Sequence, residues 1–276
     1  MTFLAVLTGC GRINFDPLGD AGSDPGDAAA VRCDPQAPFT TIARVDSLSS
    51  TMIDGAARLN TTETTAYFHS DRGGGTFQIW SATRASRDVA FGAPTIVLAT
   101  SAFWPTVTSN GLTLVYSTND LLISTRITEA DVFQPGTVIA SLDSTSALTN
   151  PFLGPLGSTL YYTIYEPEGT FYSAPWPPMG GAQPITELNT AGRDEAPVLS
   201  DDEHVIYFSR DAGSGPDIFV AQRDSVTSSF GPASEVTELN STADDKATWL
   251  SPDACRLYFE TTRNGSSDIY LAERQP

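Results

Sequence analysis

The stretch Leu199–Arg223, LSDDEHVIYFSRDAGSGPDIFVAQR, returns in altered form as Leu250–Arg274, LSPDACRLYFETTRNGSSDIYLAER. In both, a leucine precedes an aromatic residue by nine positions: Leu199 before Phe208, and Leu250 before Phe259. A turn rich in Gly, Ser and Asp or Asn follows, then a second apolar run. Gly and Asn supply the positive φ that a tight hairpin needs. Working outward, the same gap of nine separates Leu59 from Phe68, Val107 from Tyr116 and Leu153 from Tyr162. Pro105, Pro151 and Pro197 each stand two residues before the first member. Successive aromatics are 48, 46, 46 and 51 residues apart, and so even an interval marks a repeat architecture.

A further run completes each unit. Phe91, Phe133 and Phe230 precede Val97, Ile139 and Val236 by six; Leu142 and Leu239 lie three further on, and Ile185 with Leu188 fits the same pattern. Eleven residues then lead to the first strand of the next unit. Each unit therefore predicts four short antiparallel strands, and a radial array of such sheets is a β-propeller. A β-sandwich requires no such period. The composition agrees. Turn formers are abundant, strand formers recur in short runs, and no apolar pattern keeps a helical period for three turns. The expected fold class is all-β: a five-bladed β-propeller over residues 39–276, with four antiparallel strands per blade.

The last unit carries only three strands, at Thr248–Ser251, Arg256–Thr261 and Asp268–Ala272. Its missing fourth-strand pattern stands at residues 39–48, where Phe39, Val45 and Leu48 repeat the six-and-three spacing and Leu48 precedes Leu59 by eleven. This N-terminal strand is expected to pair with the final strand. That closes the ring and removes an open sheet edge.

The two opening stretches resemble the Pro-Asp variant of the WD-type propeller repeat, whose best-known example is the TolB C-terminal propeller. Ser251-Pro252-Asp253, Leu257-Tyr258-Phe259 and Asp268-Ile269-Tyr270 carry the resemblance most strongly. AYFHSDRGGGTFQIWSA, residues 66–82, carries it fairly, and the second and third units weakly. The resemblance implies a docking module without enzymatic activity. Arg72 and Arg263 match the repeat's arginine, and Asp217 and Asp268 its aspartate. The role implied for them is structural pairing between turns.

The chain starts differently. Residues 1–10, MTFLAVLTGC, resemble a bacterial lipobox and are too short to span a membrane. Cys10 is then the acylated residue, and an N-terminal lipid anchor is the only expected contact with a membrane. Gly11 follows it, without the Asp of an inner-membrane retention signal. The expected location is the outer membrane facing the periplasm, or the cell surface. Residues 11–38, rich in Gly, Asp, Ala and Pro, read as a flexible tether. Cys33 lies six residues before the closing strand and Cys255 lies in the last blade, so in an exported protein the two are expected to form a disulfide.

Chemistry-bearing motifs are scarce. His69 and His204 lie in different blades, with no Cys or His at ligand spacing, and read as surface or sheet-face residues. Neither a Gly-x-Ser-x-Gly elbow nor a Walker loop is present. No catalytic residue, metal or cofactor is expected. Asp54, Asp194 and Asp245 fall in equivalent loops of three blades, five residues before a first-strand residue. They are candidate ligand-binding carboxylates at the channel mouth, or caps of their own turns. The net charge of −18 argues against nucleic acid and anionic membrane surfaces as partners. The leading expectation is a monomeric, non-enzymatic docking scaffold for an envelope protein or polysaccharide. A glycan-active enzyme using the face carboxylates is the alternative, and a small-ligand sensor module is third.

Overall fold

The computed structural model describes residues 32–142, 144–165 and 169–276; Cys10 lies outside them, as do the lipobox and most of the tether. Five four-stranded antiparallel sheets make up the fold. Blade 1 holds β2 (Asp54–Leu59), β3 (Thr65–Ser70), β4 (Gln78–Thr83) and β5 (Thr95–Leu98). Blade 2 holds β6 (Phe103–Val107), β7 (Thr113–Ser117), β8 (Leu121–Thr125) and β9 (Thr137–Val138). Blade 3 holds β10 (Leu148–Leu153), β11 (Thr159–Tyr165), β12 (Gly169–Pro175) and β13 (Gln183–Pro184). Blade 4 holds β14 (Arg193–Leu199), β15 (Val205–Asp211), β16 (Pro216–Gln222) and β17 (Ser234–Glu235). Blade 5 is shared between the two ends of the chain: β18 (Asp245–Leu250), β19 (Arg256–Thr261), β20 (Asp268–Glu273), then β1 (Thr41–Arg44). The innermost strands close a ring, because β2, β6, β10, β14 and β18 each pack beside the next and β18 returns to β2.

The closing strand is antiparallel to β20, with Thr41 opposite Glu273 and Arg44 opposite Tyr270. Only four of residues 39–48 form the strand. Phe39 and Leu48 instead plug into the core on either side of it. Cys33 and Cys255 are bridged, with their Cα atoms 5.0 Å apart. The first strand of blade 5 begins at Asp245, three residues earlier than the sequence spacing placed it. The outermost strands of blades 2, 3 and 4 are two residues each, because the Val or Ile and Leu of their pattern lie in the turns that follow.

Two local devices recur around the ring. Every innermost strand carries a bulge near its start, and in four blades a bulged residue has positive φ: Ala56, Trp104, Asn150 and Ala196. A bulge bends the strand and raises its twist, which turns its first residues toward the axis. The second device is a seam between blades. Arg84, Arg126, Arg223 and Arg274 follow the third strands, and each stacks on a phenylalanine: Phe91, Phe133, Phe230 and Phe39. Each also donates to a tyrosine hydroxyl of the preceding blade: Tyr258, Tyr67, Tyr161 and Tyr207. Phe39 thus does for blade 5 what Phe91 does for blade 1. In blade 3 the arginine position is Trp176, and its counterpart in blade 2 is Val115 rather than tyrosine. Both belong to one apolar cluster.

The ring has two faces. First strands start, and second strands end, at an entry face. The hairpins between first and second strands, and the loops between third and fourth strands, lie on the opposite hairpin face.

Candidate functional site

Asp54, Asp194 and Asp245 are the first or second residues of β2, β14 and β18, not loop residues, and all three are fully buried. Each is enclosed in the same way. One carboxylate oxygen accepts from the backbone N–H and hydroxyl of the residue four before it: Ser50, Thr190 and Ser241. The other pairs with an arginine: Arg72 at 2.5 Å, Arg210 at 2.6 Å and Arg263 at 2.8 Å. The guanidinium also holds the carbonyl of the conserved-spacing leucine before the turn, Leu48, Leu188 or Leu239. These carboxylates therefore tie the loop that links two blades to the hairpin beside it. Arg72 and Arg263 take the structural role implied by the repeat. In blade 4 that role passes to Arg210, two residues after the aromatic instead of four, which the spacing did not reveal. Asp268 pairs with Arg44 of the closing strand. Among the described residues Asp217 has no such partner; burial and the neighbouring Glu235 raise its pKa.

One residue further along the innermost strands stand Gly55, Phe103, Thr149, Glu195 and Lys246. Beside them, one residue after the strand aromatics, stand His69 and Glu260. This ring is where charge gathers at the axis. Lys246 Nζ lies 2.7 Å from Glu195 Oε1 and over the Trp104 ring. Tyr165 donates its hydroxyl to Glu195, and Arg193 lies 3.8 Å away. Burial alone opposes ionisation of Glu195, but Lys246, Tyr165 and Arg193 together hold its carboxyl below the usual range. Glu260 differs. Burial raises its pKa, and neither Lys246 nor the Ala56 N–H, 2.8 Å from its Oε2, fully reverses the shift.

His69 is buried, not on the surface. Its ring sits edge-on to Phe77, Phe103 and Trp104, and its Nδ1 accepts from the Trp104 N–H at 3.3 Å. Burial, aided by Lys246, pushes its pKa down to about 3, so the imidazole is neutral at physiological pH. Gly55 leaves room for both groups: a Cβ there would lie 2.1 Å from Glu260 Oε2 and 2.9 Å from His69 Nε2 and would displace these side chains. Among the described residues no group of three His, Cys, Asp or Glu is placed to hold a metal ion.

Register in the repeat was the signal that could have found this cluster. Glu195 and Lys246 stand four residues before Leu199 and Leu250, where other blades carry uncharged residues. The aspartates stand one position before these residues.

With this geometry in hand, known structures place the fold. The chain is similar to an endo-arabinase from Bacteroides thetaiotaomicron, at 12% identity over 86% of this chain and 98% of that one, with a TM-score of 0.59. It is similar to a glycosyl hydrolase from Bacteroides ovatus, at 11% identity over 87% and 93%, with a TM-score of 0.53. It is also similar to TolB from Acinetobacter baumannii, at 12% identity over 83% of this chain and 56% of that one, with a TM-score of 0.52. The likeness is one of fold. The chain spans little more than half of that TolB. No family model matches it, and neither does any curated protein.

Proposed function

We propose that the chain is a non-enzymatic, lipid-anchored propeller of the cell envelope that docks an envelope protein or polysaccharide. The observation that carries this reading is where exposed apolar side chains gather. Val89, Ile127, Val132, Leu156, Met179 and Val226 all lie on hairpin-face loops, and Met179 and Ile127 are 89% and 88% exposed. Met52 and Ile53, each 39% exposed, lie on the entry-face side, and an apolar excess on the hairpin face suits an interaction surface. On the entry face Asp54, Asp194 and Asp245 are each held in a structural ion pair. The Cys33–Cys255 bridge suits an oxidising compartment, and anchoring at Cys10 would leave the propeller on the envelope surface. Similarity in fold to TolB agrees with a docking role, although fold alone does not assign one.

One observation favours glycan chemistry as a second reading. Glu195 and Glu260 have environments that push their pKa values apart, the pattern expected of a base and an acid sharing a site. A reducing-sugar assay over arabinan and related envelope glycans separates the two. The docking reading expects no release by the purified chain. Release that disappears in Glu260→Gln and in Glu195→Gln, with the fold intact by circular dichroism, would install the enzymatic reading in its place.

A further inference from the structure

The hairpin end of the axis holds a cavity of about 310 Å³ to which all five blades contribute. Its walls are largely apolar, with Trp249, Trp176, Phe152, Leu153 and Tyr67 among them. Arg58, on β2, lines it and is 3% exposed. This side chain crosses the axis. It donates to the carbonyls of Thr248 in blade 5 and, at 3.4 Å, of Pro197 in blade 4. Its guanidinium lies 4.7 Å over the Phe152 ring of blade 3.

Among the described residues no carboxylate touches Arg58, Glu260 acts on it only through space, and its Nε has no hydrogen-bond partner. Arg126 also lines the cavity, but it is occupied by the carbonyls of Gly111 and Glu129 and the hydroxyl of Tyr67. A buried cation with no carboxylate in contact is expensive, and an anion brought to it recovers part of that cost. Burial pushes the Arg58 pKa down to about 9, which leaves it charged at neutral pH. The rim adds a selection rule. Glu129 and Asp201 border the cavity, so a polyanion would meet repulsion where a single negative charge with an apolar body would not. Predominantly apolar walls with one placed charge are the usual make-up of a small-molecule site.

We propose that this cavity binds a small monocarboxylate with an apolar body, its carboxylate accepting from the Arg58 guanidinium and the body lying against Trp249 and Trp176. The site lies on blade-core residues and does not depend on the docking role. The test is titration of the full chain with benzoate and hexanoate, followed by calorimetry and tryptophan fluorescence. Benzamide, hexanamide and inorganic phosphate serve as matched probes. Saturable binding of a carboxylate is expected, weakened at least about tenfold in its amide, as for loss of one charge-assisted hydrogen bond. Phosphate should bind weakly or not at all. Arg58→Met should abolish binding. Leu153→Trp, which narrows the cavity without touching Arg58, should also abolish it and keeps the test decisive if Arg58→Met fails to fold. Equal affinity for acid and amide, tighter binding of phosphate, unchanged affinity in Leu153→Trp, or no saturable binding of either acid would each overturn the proposal.

Discussion

A carboxylate on a propeller face can serve chemistry or architecture, and the partners of each oxygen decide which. Asp194 gives one oxygen to Thr190 and the other to Arg210, with no solvent exposure. Replacing it with alanine leaves Arg210 the Leu188 carbonyl and the rings of Phe208 and Phe219, but takes away the carboxylate it pairs with. Asp194→Ala is therefore expected to lower stability by about 3 kcal/mol in urea unfolding, the range for a broken buried pair. A loss within experimental error would mean that the aspartate is free for a ligand. His69 makes a second, pH-dependent prediction. Its folded pKa of about 3 lies below the unfolded value, so the unfolded chain takes up a proton first as pH falls. Its contribution is present above about pH 6.5 and fades toward pH 3. Between pH 7 and pH 5 it should remove about 2 kcal/mol of stability. Comparing the two pH values in wild type and His69→Gln should show a drop smaller by that amount in the variant. An identical drop would place the imidazole in water. The aspartates were legible as a repeated position, and their role as caps was one of the two readings open. The buried ring beyond them was not, because Glu195 takes its partners Lys246 and Tyr165 from two other blades, and no local pattern announces it.

At the scale of strands and blades, the closing strand was the most legible element. Phe39, Val45 and Leu48 kept the spacing of the other outer strands, and β1 pairs with β20 as that spacing requires. Its short extent was not legible, since the apolar anchors of an outer strand sit beside the strand and not within it. The Cys33–Cys255 bridge fastens the same seam across a sequence separation of 222. Its removal in a Cys33→Ser/Cys255→Ser variant should cost about 5 kcal/mol in the chain-entropy picture. A change well under 1 kcal/mol would mean that the seam holds without its staple. The inter-blade arginines offer a finer test. Arg223 and Tyr161 are 3.2 Å apart across blades 4 and 3. A double-mutant cycle with Arg223→Met and Tyr161→Phe should return a coupling of about 1 kcal/mol. Additive losses would show the seam to be held by packing alone. The seam between blades 2 and 3 departs from the others, holding Trp176 and Val115 in one apolar cluster in place of an arginine–tyrosine bond.

For the molecule as a whole, the even period of the aromatics was enough to count the blades, because each blade must bury one strand aromatic in the same place. Function was less legible. Exposed apolar residues on the hairpin face come from loops of unequal length that share no motif, and topology alone brings them to one side. The docking role rests on that asymmetry between faces. Site-specific photocrosslinking in the native host tests it most directly, with the crosslinker placed at Ile127 or Met179 on the hairpin face and at Met52 on the entry face. Discrete adducts to one partner are expected from Ile127 and Met179 and none from Met52; adducts from Met52 alone, or from no position, would overturn the docking role assigned to the hairpin face.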